Sequence, residues 1–435
     1  MYFLVILIFA ALSTAQDKNV AIIILDDIGV DYLSVYHPYD WSPRTPNIEQ
    51  FRQKGALIKN AWSMPTCSPT RSAILTGKYP YKTGVGYRVH PKRPQDSLKL
   101  SEKTLPERIK SIYPNYSTAN IGKWHVSTGA KDPIKQGYDL FSGTISGVIP
   151  NYFNWKKNVN GERVLVNNYH TTELVDDSLD WISAQNNPWL LWLAFIAPHH
   201  PLHTPPSGLT TERAVTSESD QYTLMIEALD TELGRLLEQI DLSSTYVFIL
   251  GDNGTSSSLK QPPFKGSKGK GTLYQGGIHV PLLVAGPGIP QGSTIEGLIH
   301  LTDIHATVLE LLGITFNGKD SLSFAASLKD PSIVSPRKWN YSQIFNSDKV
   351  ANRLPGQKTL DGITVRDHRY KLLIPEKGRR VFFDLETDPY EKVNLLRRTL
   401  SVQAHQSYNR LLPVASRIKK ITTITTDKRG AGKRR

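Results

Sequence analysis

The sequence predicts an α/β protein: a large mixed, mostly parallel sheet sandwiched by helices, with a smaller C-terminal α+β subdomain. Three observations predict it. Residues 20–25, 188–196 and 246–250 are nearly unbroken runs of apolar, largely β-branched or aromatic side chains, the pattern of strands buried on both faces. Between the second and third, residues 222–240 place Leu229, Leu233, Leu236, Leu237 and Ile240 at helical spacing. From about residue 335 the long alternation gives way to short segments, with residues 365–373 and 381–385 reading as a hairpin. The 435 residues suffice for one large α/β domain with a companion. The expected divisions are 1–15, 16–335, 336–415 and 416–435.

Residues 2–12 are apolar and are followed by the small residues Ser13, Thr14 and Ala15, the pattern of a secretory leader cleaved before Gln16. That run is too short to span a bilayer, and no later run is long and apolar enough to do so. A secreted or lysosomal location is expected.

The first buried run ends in Asp26-Asp27-Ile28-Gly29. Ligands of open α/β sheets collect at the carboxyl ends of strands. Adjacent carboxylates there are costly unless a cation neutralises them, although a turn and helix cap use the same residues. Thr45-Pro46-Asn47 then opens a helix. Cys67 is the only cysteine, unusual behind a secretory leader. Pro69 suits a first helical turn, which puts Cys67 at a helix N-terminus where N–H groups favour negative charge. Arg71 falls in the same turn. A buried structural cysteine explains these residues as well.

Gly122-Lys123-Trp124-His125 follows an apolar segment, and on a strand Lys123 and His125 point the same way. Residues 188–196 run into Ala197-Pro198-His199-His200-Pro201-Leu202-His203, where no carboxylate or cysteine completes a zinc spacing. The run at 246–250 ends in Gly251-Asp252-Asn253-Gly254. Lys268-Gly269-Lys270-Gly271-Thr272 leads to Gly276-Gly277, a glycine- and lysine-rich loop friendly to anions.

These elements, in this order, resemble the formylglycine-dependent sulfatases, an arylsulfatase-like family with the alkaline-phosphatase-like fold. The signature is Cys67-x-Pro69-x-Arg71 followed by Leu75-Thr76-Gly77; the family usually has Ser where this chain has Thr70. The resemblance implies that a formylglycine-generating enzyme oxidises Cys67 to Cα-formylglycine, whose hydrate is the nucleophile. It implies one calcium ion held by Asp26, Asp27, Cys67, Asp252 and Asn253. Taken alone, three carboxylates and an amide oxygen are hard donors that favour calcium over zinc.

Arg71, Lys123 and Lys270 are expected around the sulfate, with Lys268 the fallback for Lys270. His199 is expected to protonate the departing alcohol and His125 to sit beside the aldehyde carbon and release the enzyme-bound sulfate. Gln275 and His279 replace the family's Glu and Arg, outside the groups expected to touch substrate. The implied function is a double-displacement hydrolysis of sulfate esters of a sulfated carbohydrate or glycosaminoglycan, with aryl sulfates as model substrates. A phosphodiester or phosphonate ester hydrolase of the same fold and a non-catalytic binder of sulfated glycans are the alternatives.

The formal charge is +13. Beyond residue 415 lie Arg417, Lys419, Lys420, Lys428, Arg429, Lys433, Arg434 and Arg435 against Asp427 alone. That tail reads as disordered and solvated, either a polyanion contact or a solubilising end. Without a zinc-finger spacing, an aromatic-basic platform or a reading helix, nothing points to nucleic acid. Asn115-Tyr-Ser and Asn340-Tyr-Ser are preferred over Asn253-Gly-Thr as glycan acceptors.

Overall fold

Every side chain of β1 (Asn19–Leu25) after its first residue is buried, alternately on two faces. Val20, Ile22 and Ile24 join one apolar cluster, while Ala21, Ile23 and Leu25 join another. A strand with two apolar faces belongs in the middle of a three-layer fold. The computed structural model describes residues 17–261, 268–345, 362–375 and 378–431, with side chains through residue 418; the expected leader lies outside the described residues.

The chain continues through β2 (Ala56–Trp62), β3 (Ser117–Lys123), β4 (Leu140–Thr144), β5 (Trp155–Val159), β6 (Glu162–Val166), β7 (Trp189–Ala194), β8 (Thr245–Gly251), β9 (Leu282–Ala285) and β10 (Ser293–His300). They form one ten-stranded sheet in the order β10-β2-β9-β8-β1-β7-β3-β4-β5-β6. The centre, β8-β1-β7-β3-β4, is parallel. β9 runs antiparallel to both neighbours, and β5 and β6 form an antiparallel hairpin at one edge.

Helices cover both faces. Cys67–Thr76, Leu105–Ile112 and Asp303–Leu311 pack on one side; Pro46–Lys54, His170–Ser183 and Glu218–Glu238 pack on the other. The last of these buries Leu229, Leu233 and Leu236, as its spacing predicts. Its start is fixed by Ser217 and Asp220, whose side chains each satisfy the other's backbone N–H.

A second sheet of β11 (Asn340–Ile344), β12 (Gly362–Arg366), β13 (Tyr370–Pro375) and β14 (Val381–Asp384) is antiparallel throughout. The expected single segment 365–373 is therefore itself a hairpin, because Asp367 Oδ1 accepts the N–H groups of Arg369 and Tyr370 and turns the chain. A helix, Val402–Ala431, lays Ala404, Leu411, Ala415 and Ile418 on this sheet. The residues after 415, expected to be disordered, continue that helix to Ala431; the apolar face that starts it was hidden by the basic composition of its end. Asn340 is also corrected as a glycan acceptor: it is buried, and its Nδ2 donates to the Ile299 carbonyl, whereas Asn115 is exposed.

His170, His300 and His305 are fully buried. Burial holds the imidazoles of His170 and His305 down at about 3. Burial and then Arg337 hold His300 well below its usual value. The unfolded chain protonates all three near pH ~6.5, so their contribution to stability is complete above that value and is lost as the pH falls toward about 3. Asp230, raised to about 6 by burial, acts the other way. The urea midpoint is expected to fall steadily from about pH 7 to about pH 5, and His305→Gln to flatten that slope. A midpoint independent of pH contradicts this reading.

Candidate active site

Register brings the first pieces together. Leu25 of β1 lies opposite Gly251 of β8, so Asp26 and Asp252 leave the sheet side by side. β3 ends at Lys123 two strands away, on the same edge. Cys67 starts its helix here, and in the first turn the Thr70 hydroxyl ties the helix to the preceding loop, sharing its proton between the Met64 and Thr66 carbonyls and accepting from the Met64 N–H. A serine hydroxyl makes the same bonds, so the departure at Thr70 preserves this turn.

Asp26, Asp27, Cys67 and Asp252 place a ligand atom each within 4.8 Å of one another, all buried. Arg71 Nε donates to Asp252 Oδ2 at 2.9 Å, and its Nη1 donates to the Lys123 carbonyl at 2.7 Å. The Lys123 ammonium donates to Asp26 and, at 3.4 Å, to the Cys67 sulfur. Lys270 donates to Asp27 Oδ1, while Lys268 donates to the Glu391 carbonyl and lies over the Tyr274 ring. Lys270, not the fallback Lys268, therefore faces the cluster. Its loop is fixed at both sides, with Lys270 N–H on the Thr255 carbonyl and Gly271 N–H on that of Pro65.

The charges shape the titrations. Burial, then Asp26, pushes the Cys67 thiol up to about 12, so the unmodified side chain is a protonated, poor nucleophile. Burial disfavours the Lys270 cation, but the carboxylates, Asp27 foremost, outweigh it and raise the group overall. Burial and then Asp26 raise Asp252. His199 stands with Nε2 3.8 Å from Asp27 Oδ2. Burial, then Lys270 and Lys123, hold it at about 3.

The donor set suits a hard cation. Asn253 Nδ2 donates to Asp27 Oδ1 at 2.9 Å and to the Gly254 carbonyl, leaving its buried Oδ1 without a partner. An orphaned amide oxygen beside three carboxylates is the chemistry of a calcium or magnesium site. Asp27 adopts a left-handed backbone (φ 67°), fixed by its N–H on Asp252 Oδ1 and by the Tyr222 hydroxyl donating to its carbonyl at 2.5 Å.

His125 lies past the end of its strand. The strand ends at Lys123, and His125 takes φ 53°, so the alternation that aligns two residues on a strand no longer applies. Its Nε2 bonds the Val89 carbonyl at 3.0 Å, and no hydrogen bond joins it to Cys67 or to the carboxylates. Its buried Nδ1 has no partner. Burial, then Lys123 and Arg71, keep the ring neutral. Gly147 packs so close that a Cβ there would lie 2.2 to 2.5 Å from three ring atoms. Among the other histidines, His203 bonds the Tyr169 hydroxyl and stacks among aromatic rings, and His200 is exposed.

Sequence reasoning missed Tyr222 and Glu391. Tyr222 hides in a helix whose apolar spacing reads as packing. Glu391 (φ 56°), in the C-terminal segment, accepts the Gln275 N–H at 2.6 Å and pairs through charge with buried Lys371 at 2.6 Å. It thereby ties the second sheet to the loop of Lys270. Its only local signal is an acidic residue in a polar turn, Asp388-Pro-Tyr-Glu391.

The sulfatase family model matches residues 18–314, and the chain belongs to the sulfatase family. It is 27% identical over 327 residues to arylsulfatase J of Mus musculus, covering 69% of this chain and 54% of the relative. It is 29% identical over 343 residues to N-acetylgalactosamine-6-sulfatase of Homo sapiens, covering 70% and 64%. The chain thus spans about half to two thirds of the length of these curated relatives. The structure of Ps i-CgsB in complex with k-i-k-neocarrahexaose shares the fold, with a TM-score of 0.78 at 22% identity over 92% of this chain and 93% of that one.

Gly147→Ala is expected to turn the His125 ring and to lower sulfate-ester turnover by about 100-fold. A thermal midpoint within a few degrees of wild type separates this from unfolding; unchanged turnover refutes it. Glu391→Ala strands Lys371 in the interior, an expected loss of about 3–5 kcal/mol. Adding Lys371→Met restores much of the thermal stability, but turnover stays low because the Lys270 loop remains untied. Recovery of turnover along with stability argues against this anchoring role.

Proposed function

We propose that the protein hydrolyses sulfate esters of a sulfated carbohydrate or glycosaminoglycan, with Cys67 carried as formylglycine and one calcium ion on Asp26, Asp27, Asp252 and Asn253. The observation that carries this reading is the convergence of three buried carboxylates, two buried cations and the partly buried Lys270 on one cysteine at a helix start. The carboxylates and the cations offset one another, so a divalent cation leaves the site net positive and ready for an anion. Formylglycine at residue 67 would supply a hydrate oxygen as nucleophile, and a calcium ion held by Asp26, Asp27, Asp252 and Asn253 would supply Lewis-acid stabilisation of sulfate charge.

The chain's own residues do the rest. Arg71 is locked by Asp252 and the Lys123 carbonyl, so it orients the nucleophilic position and cannot swing away. Lys123 and Lys270 lie where they can receive sulfate oxygens. A sulfate between them offsets the two cations that depress His199, which raises its basicity and suits it to hand a proton to the leaving oxygen. Neutral His125 serves as the base that frees the enzyme-bound sulfate in the second step.

The names of the relatives support the carbohydrate: one is an N-acetylgalactosamine-6-sulfatase, and one structure holds a neocarrahexaose. The formal charge of +13 suits a polyanion. The leader pattern supports a secreted or lysosomal setting. No helix among the described residues is long and apolar enough to cross a membrane.

The test joins peptide mass spectrometry of the Cys67 fragment to turnover of 4-nitrophenyl sulfate and bis(4-nitrophenyl) phosphate. The aldehyde or its hydrate is expected at residue 67, with the sulfate preferred. Cys67→Ala should cost about 10³-fold or more, and calcium chelation should abolish turnover reversibly. Activity surviving Cys67→Ala overturns the mechanism, and a preferred phosphodiester overturns the substrate class. No turnover, with glycan binding indifferent to chelation, leaves a binding protein.

A further inference from the structure

The β5–β6 hairpin sorts its side chains by alternation, with Lys156 opposite Leu165 and Asn158 opposite Arg163. Lys157 points to the helix His170–Ser183, where its ammonium sits between Glu173 and Asp177. Lys156, Asn158, Arg163 and Leu165 share the other face and line a cavity of about 520 Å³. That volume falls within the ~300–1,000 Å³ of typical ligand sites. The lining also includes His125, nine-tenths buried, whose Nδ1 has no partner among the described residues and whose ring feels the charges of Lys123 and Arg71 in the active site.

Two features ask for a ligand. Lys156 and Arg163 are exposed, and no described carboxylate pairs with either, although their neighbour Lys157 has two. Beside them Leu165 and Val148 hold 58% and 52% of their surface open to solvent while lining the same cavity. Unneutralised cations next to open aliphatic side chains fit a pyranose ring, which offers a C–H face for the aliphatics and an anionic substituent for the cations. Asn154 and Asn158 add amides for hydroxyl groups.

We propose that this cavity holds the sugar next to the one bearing the scissile sulfate, and that Lys156 and Arg163 bind an anionic group on it, a sulfate or a carboxylate. The proposal rests on the sulfate-ester reading above and adds what the enzyme selects: a ring whose neighbour is charged.

The test uses three disaccharides with the same scissile sulfate and a neighbouring ring that is neutral, sulfated or a uronate. In the wild-type protein kcat/KM is expected to be higher for one or both charged neighbours, and the preferred one identifies the anion. In Lys156→Ala/Arg163→Ala the ratio of charged to neutral kcat/KM should fall at least about tenfold, mainly through KM. Arg163→Glu should invert the preference. An unchanged ratio, or an equal loss on all three substrates, overturns the proposal. If the wild type turns over none of them, the sulfatase reading fails on its own. Equilibrium binding of the same disaccharides to the Cys67→Ala variant then decides: selective loss of the charged ones on removing Lys156 and Arg163 upholds the cavity, and unchanged binding overturns it.

Discussion

The structure depends on holding the carboxyl groups of Asp26, Asp27 and Asp252 together out of water. Three carboxylates within one small volume repel one another and forgo hydration, a cost that only opposite charges and well-placed donors can offset. Arg71, Lys123 and Lys270 supply the charges, each from a different element. The parallel pairing of β1 with β8 brings two of the acids together, and the helix at Cys67 delivers Arg71 between them. Removing any cation leaves a buried anion uncompensated, so the cluster is cooperative by construction. The same balance makes it receptive, because an added divalent cation tips it toward binding an anion.

A second layer keeps the first in place. Asp31 accepts from Lys260 and from the Thr255 hydroxyl, and that hydroxyl accepts the Gly29 N–H beneath the turn of the two aspartates. Glu391 reaches from the second sheet to the loop of Lys270. Four non-glycine residues adopt a left-handed backbone among the described residues: Asp27, His125, Glu391 and Asn160. Asn160 precedes Gly161 in the tight turn of the β5–β6 hairpin, as local turn chemistry favours. The others are a carboxylate of the cluster, the ring at its margin and the anchor of its loop. Strain of this kind persists only where surrounding contacts over-determine it, and here hydrogen bonds supply that determination.

How much was legible in the sequence follows from which signals are local. Asp26, Asp27, Asp252 and Asn253 each follow an apolar run at a strand's carboxyl end, and Cys67 opens a proline-marked helix, so single segments disclosed them. The pairing of Leu25 with Gly251 joins positions over two hundred residues apart, and no local pattern encodes it; the order of the elements had to stand in. His125 was reached through the resemblance alone, because the strand stops at Lys123 and its alternation does not extend to residue 125. Tyr222 carries its function in a hydroxyl that apolar spacing ignores. The tail was read from charge alone, whereas it continues a helix from Val402 that lays Ala404, Leu411, Ala415 and Ile418 on the small sheet.

These features divide between the middle of the sheet and its edge. The charged cluster sits at the middle of the sheet, where β1, β3 and β8 are paired on both sides and a shifted residue disturbs several neighbours at once. Such a place can hold reacting groups still, but it has little freedom to vary. The β5–β6 hairpin lies at the sheet's edge, pinned from behind by Lys157 and open in front. Substitutions on its open face change what is recognised without entering the buried charge network. His125 stands between the two regions and touches both the cavity and the field of the cluster. On the proposal above, selection of the neighbouring sugar would rest with this hairpin and be expressed mainly in KM, while the buried cluster keeps the reacting groups in place.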